Sequence, residues 1–370
     1  MDRYKHSSIH WFFDEPISLQ PPPATCKAFH MTTPIRWGIL GTGNIAKQFA
    51  KGLAVLPDAQ LAAVGSRSHE SAQSFASEFK AARSHGSYEA LARDPDIDVI
   101  YIATPHPLHC ANTLLCLEHD KPVLCEKPFA VNAVEAQAMI TAARSKKLFL
   151  MEAMWTRFLP VTTQVMEWIR AGRIGEPRQV LADFGYRCGW NPQSRLLDRS
   201  LGGGALLDVG VYCLAYARMV FGSAPERLHA DAHVGETGVD EQLAIIARHP
   251  NGGLASITAA IRTNTPHELW ICGTSGRIKI PGFWHAREAT LFADGAEPET
   301  AKPEFPGNGY QHQAAEVARC LRAGLSESPR MPLNETLEIA STMDQVRRLI
   351  GLSYPSDTSS SSTPSLTAKG

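Results

Sequence analysis

Three side chains stand out by type and placement. Lys127 lies in Glu126-Lys127-Pro128, directly after the apolar run Val123–Cys125. Asp208 and Tyr212 are four residues apart in GGGALLDVGVYC, a spacing that puts both on one face of a helix. A lysine, a carboxylate and a phenol form a set that can move a proton on and off a hydroxyl. A carboxylate inside an otherwise apolar helix needs a partner, and the phenol one turn on offers a polar tip. Each residue alone also has a plainer reading: a surface lysine after a strand, a locally satisfied aspartate, a core tyrosine.

A second cluster explains what such a set would work beside. Gly41-Thr42-Gly43-Asn44-Ile45-Ala46 follows the apolar run Ile35–Leu40 and opens a stripe of Ile45, Phe49 and Leu53 at four-residue spacing. The first glycine permits a tight turn and the second lets backbone approach a pyrophosphate; Ala46 replaces a third, close-packing glycine. The N–H groups of a helix start would then face the phosphates. Gly41, Thr42, Gly43, Asn44 and Ile45 are accordingly candidate dinucleotide-binding residues. At the end of the next strand, NAD sites carry an acid for the ribose hydroxyl. Here the chain reads Gly65-Ser66-Arg67-Ser68, with no acid before Glu70. The Ser66 hydroxyl and Arg67 guanidinium suit a 2′-phosphate, which predicts NADP rather than NAD. A positively charged nicotinamide beside Lys127 would depress that lysine's pKa and ready it for proton transfer.

These residues need elements to place them. Strand-like runs at Ile35–Leu40, Leu61–Gly65, Val99–Thr104, Val123–Cys125 and Leu148–Met151 alternate with helical stretches. One of these is Ser71–Phe79; another runs from Asn132 to about Lys147, with Glu135 completing a capping box. That alternation predicts a parallel, doubly wound Rossmann sheet over 34–154. Lys127 and Thr104-Pro105-His106 then fall at carboxyl ends of strands, where such sheets bind ligands. From 155 to 352 the pattern changes. LASITAAIR, HELWICG and GRIKIPGF read as neighbouring antiparallel strands, with helices near 205–221, 310–323 and 333–350. This predicts an α+β domain with an open, mostly antiparallel sheet. Residues 1–33, with a triple proline, read as a poorly ordered leader, and 353–370 as a disordered Ser/Thr/Pro tail.

Length and composition agree with two domains: 370 residues, 44% hydrophobic and 20% charged. A net charge of -1 gives no global basic field for nucleic acid or an anionic membrane. The longest apolar candidate, residues 204–222, contains Asp208 and Arg218, against a membrane span. Eight scattered cysteines without C-x-x-C fit a reducing, cytoplasmic setting. Cys125 reads as a buried strand thiol. His106, His109 and Cys110 lie close together, but the intervening prolines and the cofactor position argue against a metal, and none is expected. His6 and His10 share helical spacing with no further ligand.

The segments IRWGILGTGNIAKQF, IATPHPLHCANTLLCL, KPVLCEKPFAVNAVEAQAMI, LFLMEAMWTRFLP and GGGALLDVGVYC together resemble the glucose–fructose oxidoreductase / inositol dehydrogenase (Gfo/Idh/MocA) superfamily. Within it, the likeness is to the dimeric dihydrodiol dehydrogenases and NADP-dependent D-xylose 1-dehydrogenases, over about residues 34–353. The resemblance implies that Lys127 and Tyr212 sit beside the substrate hydroxyl, with Asp208 orienting and charge-tuning them. It implies a cis Lys127-Pro128 peptide, and Glu126, Thr104, Pro105 and His106 along the cofactor. Trp155 and Arg157 would flank nicotinamide and substrate, and Phe184 would line the pocket. Either tyrosine or lysine could accept the proton; Tyr212, with Lys127 lowering its pKa, is the favoured reading. The expected substrate is a cyclic polyol, a sugar or a trans-dihydrodiol, and the expected assembly a homodimer through the C-terminal sheet. Two alternatives stay open: a non-catalytic dinucleotide-binding sensor, as in a fungal galactose-pathway repressor on this fold, and an enzyme recycling tightly held NADP between sugars or in glycoside cleavage.

Overall fold

The computed structural model describes residues 33–359. The leader up to residue 32 and the tail from 360 lie outside the described residues. Six strands form one sheet: β1 (Ile35–Leu40), β2 (Ala59–Gly65), β3 (Arg83–His85), β4 (Val99–Ile102), β5 (Val123–Glu126) and β6 (Leu150–Ala153). All neighbours are parallel, in the order β3-β2-β1-β4-β5-β6. The order reverses between β1 and β4, which opens a crevice at their carboxyl ends. Strands β1, β4, β5 and β6 are buried almost throughout, as a sheet covered on both faces requires.

The covering helices are α1 (Asn44–Leu53), α2 (His69–Phe79), α3 (Tyr88–Ala92), α4 (His109–Glu118) and α5 (Ala133–Lys146). In α1 the buried Ala46, Phe49, Ala50 and Leu53 make one stripe, and Phe49 stacks on Tyr101 of β4 with centroids 3.7 Å apart. Asn132 caps α5 by accepting the Glu135 N–H at 2.9 Å, as its spacing foretold. β3 and α3 had no sequence signature: Arg-Ser-His lacks apolar alternation and α3 has only five residues.

α6 (Pro160–Arg170) leads into the second sheet. Its strands are β7 (Pro177–Gly185), β8 (Arg227–Val234), β9 (Asp240–Arg248), β10 (Leu254–Ala260), β11 (Glu268–Gly273), β12 (Gly276–Pro281), β13 (Ala289–Ala293) and β14 (Glu299–Ala301). Their order is β14-β13-β12-β11-β7-β10-β9-β8. The sheet is mostly antiparallel, as expected, but β10 and β11 are not neighbours. β7 lies between them, parallel to β10 and antiparallel to β11. The sequence reading missed this because adjacency along the chain is a guide only where short turns join strands.

A π-turn, Leu206–Gly210, runs into α7 (Val211–Phe221). The longer run Arg199–Phe221 is apolar enough for a membrane span by length and composition, and 89% of its most apolar window is buried inside the fold. α8 (Gln311–Arg322) lies against α1, and α9 (Leu333–Leu349) contacts α5 and β6 as well as α7 and β8. The last two long helices thus tie the sheets together.

The tail expected from residue 353 is corrected at its start. Tyr354 is 2% exposed and its hydroxyl donates to the Gly203 carbonyl at 2.6 Å. Asp357, in the short α10 (Pro355–Ser359), accepts from Arg347 at 2.6 Å and from Asn132 at 3.0 Å. One aromatic anchor and one ion pair outweigh the polar composition that argued for disorder.

Candidate active site

The site grows from the carboxyl end of β5. Glu126 is its last residue, and the following Lys127-Pro128 peptide is cis. The Tyr101 hydroxyl donates to Glu126 Oε1, and Glu126 Oε2 accepts the Lys127 backbone N–H at 3.1 Å. Burial pushes the Glu126 carboxyl up to about 7. The Lys127 ammonium donates to the Asp208 backbone carbonyl at 2.8 Å, lies 3.7 Å from Asp208 Oδ1, and sits 4.8 Å from the centre of the Tyr212 ring.

Asp208 has two partners that sequence reasoning missed. The Tyr186 hydroxyl donates to its Oδ2 at 2.6 Å, and Arg195 Nη1 donates to its Oδ1 at 2.8 Å. Burial acts to raise this carboxyl, but the charges of Lys127 and Arg195 hold it well below the usual range. Tyr186 goes the other way, through burial and then the adjacent carboxylate. The only pointer to either residue was the demand of a buried acid for counter-charge; the segment 186–203 shows no periodicity.

Tyr212 presents its oxygen elsewhere. The phenol accepts a hydrogen bond from the Trp155 indole at 3.2 Å, and burial followed by the Glu126 charge drives its pKa well above 10. Asp208 and Tyr212 are neighbours, as their spacing required, yet the acid serves Lys127, Arg195 and Tyr186. Trp155 stacks on Tyr310 with centroids 4.4 Å apart. Phe184 lies 5.7 Å from the Tyr212 ring and stacks on Trp284 at 5.1 Å. Trp155, Phe184, Trp284 and Tyr310 make an aromatic wall, of which Trp284 and Tyr310 had no distinguishing motif.

The remaining candidates surround the crevice. Gly41 has φ +108, and a Cβ there would stand 2.8 Å from the Ala103 carbonyl oxygen, so only glycine lets the β1 and β4 ends approach. Gly43 caps α1 without a side-chain bond, a Cβ there would meet open space, and the first turn, starting at Asn44 and Ile45, carries no acid. A pyrophosphate fits that helix start, with Thr42 between the two glycines. Ser66 and the exposed Arg67 follow β2. After β4, Thr104 accepts from Asn112 at 3.1 Å, and Pro105 precedes a 3₁₀ turn, His106–Leu108. His106 bonds the Gly202 carbonyl at 3.1 Å; burial lowers its pKa to about 3, so the neutral ring is the donor. His109 has both ring nitrogens on backbone carbonyls, Pro128 at 2.8 Å and Thr104 at 2.9 Å. Cys125 is fully buried, as read.

Arg157 has a partner that its sequence context did not show. Its guanidinium makes a two-pronged pair with Glu335 of α9, with one bond at 3.0 Å. A planar guanidinium fork matches the two oxygens of a buried carboxylate.

Glu152 of β6 is 1% exposed, its Oε2 has no hydrogen-bond partner, and burial pushes its carboxyl from an ordinary 4.5 up to about 7. The protonated acid therefore favours the fold at low pH, and this contribution is lost as pH rises towards the folded value. Glu152→Gln is expected to flatten the decline of Tm between about pH 4.5 and 7. Melts across that window with an unchanged slope would count against a protonated Glu152.

Residues 35–154 match the oxidoreductase family with an NAD-binding Rossmann fold, and residues 162–279 match the GFO/IDH/MocA C-terminal domain. The trans-1,2-dihydrobenzene-1,2-diol dehydrogenase of Mus musculus is 39% identical over 334 residues, covering 87% of this chain and 99% of that protein. Its Xenopus tropicalis counterpart is 40% identical over 331 residues, covering 86% and 99%. Among solved structures, the 3-ketoreductase KijD10 of Actinomadura kijaniata, in complex with NADP and TDP-benzene, superposes with a TM-score of 0.76 at 25% identity, covering 86% of this chain and 98% of that one. With both domains matched and such relatives aligned along nearly their whole length, the chain belongs to the Gfo/Idh/MocA family and is an NAD(P)-dependent oxidoreductase.

Proposed function

We propose that the chain is an NADP-dependent dehydrogenase for a CH–OH carbon of a cyclic polyol, a trans-dihydrodiol or an aldopyranose. The observation that carries this reading is the meeting of Lys127, Asp208 and Tyr212 beside the wall of Trp155, Phe184 and Trp284. When bound, the nicotinamide supplies the hydride acceptor in oxidation and the donor in reduction. Gly41 to Ile45 would hold its pyrophosphate, Thr104, Pro105 and His106 would run beside it, and Ser66 and Arg67 would take the 2′-phosphate. In oxidation Tyr212 acts as the phenolate and accepts the proton of the substrate hydroxyl; in reduction the phenol gives that proton to the carbonyl oxygen. Lys127 has donors beyond the one bound to the Asp208 carbonyl, and these hold the substrate oxygen. The anionic Asp208 keeps the ammonium in place. The aromatic wall presents a flat apolar surface to a six-membered ring and excludes water. Holding the reacting atoms in contact is worth up to about 7–11 kcal/mol of the barrier.

The dihydrodiol dehydrogenase relatives favour this substrate class, and the NADP complex of KijD10 favours the phosphate-bearing cofactor. On the open face of the second sheet, Leu181 and Ile246 flank Ser256 on adjoining strands and are 41% and 46% exposed. A second copy of the chain covers this face in the proposed homodimer.

The purified protein should reduce NADP in preference to NAD with D-xylose, D-glucose or a trans-dihydrodiol. Arg67→Ala is expected to cut the NADP-over-NAD ratio of kcat/KM by about 10- to 100-fold, the worth of one charge-assisted bond. An unchanged ratio would remove Arg67 from the phosphate site. NADP retained through purification without net reduction by any compound would instead favour the sensor or a closed redox cycle.

A further inference from the structure

We propose that Trp155 is a positioning residue for the proton transfer, its indole N–H holding the Tyr212 oxygen and directing the phenol's own hydrogen towards substrate. This rests on the reading that Tyr212 accepts the proton. An indole nitrogen can only donate, so the Tyr212 oxygen must be the acceptor in the 3.2 Å bond. The phenol hydrogen therefore cannot point back at Trp155. Once Tyr212 is ionised, the same N–H faces a phenolate, and a bond to a charged acceptor is stronger than one to a neutral acceptor.

The other groups around Tyr212 make their hydrogen bonds to atoms other than its oxygen. Lys127, from the β5 end, lies over the ring face and donates to the Asp208 carbonyl. Asp208, one turn back on the same helix, takes Tyr186 and Arg195. Glu126 takes the Tyr101 hydroxyl and opposes a phenolate by its charge when ionised. Tyr310 stacks under Trp155 with its plane inclined by 10° and fixes the indole. Among the described residues, Trp155 is the one hydrogen-bond donor on the phenol oxygen. In oxidation the phenol first releases its own proton to solvent, and the phenolate then takes the proton of the substrate hydroxyl. In reduction the phenol donates its hydrogen to the carbonyl oxygen, and the indole hydrogen stays on nitrogen in both directions.

The test is kcat/KM for oxidation as a function of pH in the full chain, compared with Trp155→Phe and Trp155→His. Removing the donor should displace the ascending limb upwards by about one pH unit, a loss of about tenfold below the midpoint that recovers at high pH. Histidine, which restores an N–H, should return part of that shift. Uniform replacement of tryptophan by 5-fluorotryptophan needs no substitution; its more acidic N–H should lower the midpoint. A Trp155→Phe profile of reduced height and unmoved midpoint would make Trp155 a wall residue only, as would an unmoved midpoint in the fluorinated protein. Near-normal turnover in Tyr212→Phe would sink the underlying reading instead, so the two failures are separable.

Discussion

Tyr212→Phe is expected to lower turnover by about 10²- to 10⁴-fold, the usual worth of a positioned acid–base group. The substitution removes one oxygen and keeps the ring, so the packing that Tyr212 shares with Phe184 and Lys127 survives. Dinucleotide affinity should therefore stay close to that of the parent protein, and the loss should fall on kcat. The Trp155 indole would lose its acceptor, a cost of about 1–3 kcal/mol to stability. Steady-state rates together with a cofactor titration by fluorescence make the check. Turnover within a few-fold of the parent would move the proton acceptor to Lys127 or to water.

The second large effect is expected on the fold. Gly204 has φ +120, and a Cβ there would lie 2.0 Å from Asp240 Oδ1. Asp240 is fully buried, and its other oxygen accepts the Leu206 N–H at 2.7 Å, at the start of the turn that carries Asp208. On the other side, Tyr354 bonds Gly203. The site has no room to give. Gly204→Ala should cost about 1–3 kcal/mol for the backbone conformation and about as much again for overpacking. That is a large share of a total stability of about 5–15 kcal/mol. Urea unfolding should show the midpoint falling at unchanged m, with activity lost because Asp208 and Tyr212 hang from this turn. A variant melting within a degree or two of the parent would show that the turn can relax.

Much of this was legible in the sequence, for identifiable reasons. The Rossmann half has strong periodicity, a glycine turn and a capping box, each a local signal with a local cause. Asp208 stood out as an acid inside an apolar helix, with Tyr212 one turn on; Lys127 stood out by its place after a strand and by the family resemblance. Arg195 and Tyr186 did not, since what gives them a role is a carboxylate brought to them by the fold. The partner of Arg157 was hidden for the same reason: Glu335 is far along the chain, on α9. The expected adjacency of β10 and β11 failed likewise, because the pairing of each with the distant β7 leaves no mark on either one alone.

The placement of β7 also bears on how the chain is made. Val180 pairs with Ala255 on one side and Ile271 on the other. During synthesis the central strand therefore leaves the ribosome well before either neighbour exists, with both of its hydrogen-bonding edges bare. The N-terminal sheet can close meanwhile from segments already translated, whereas β7 must wait, and an unpaired strand is a template for wrong partners. Slow elongation between residues 185 and 254 would lengthen that exposure.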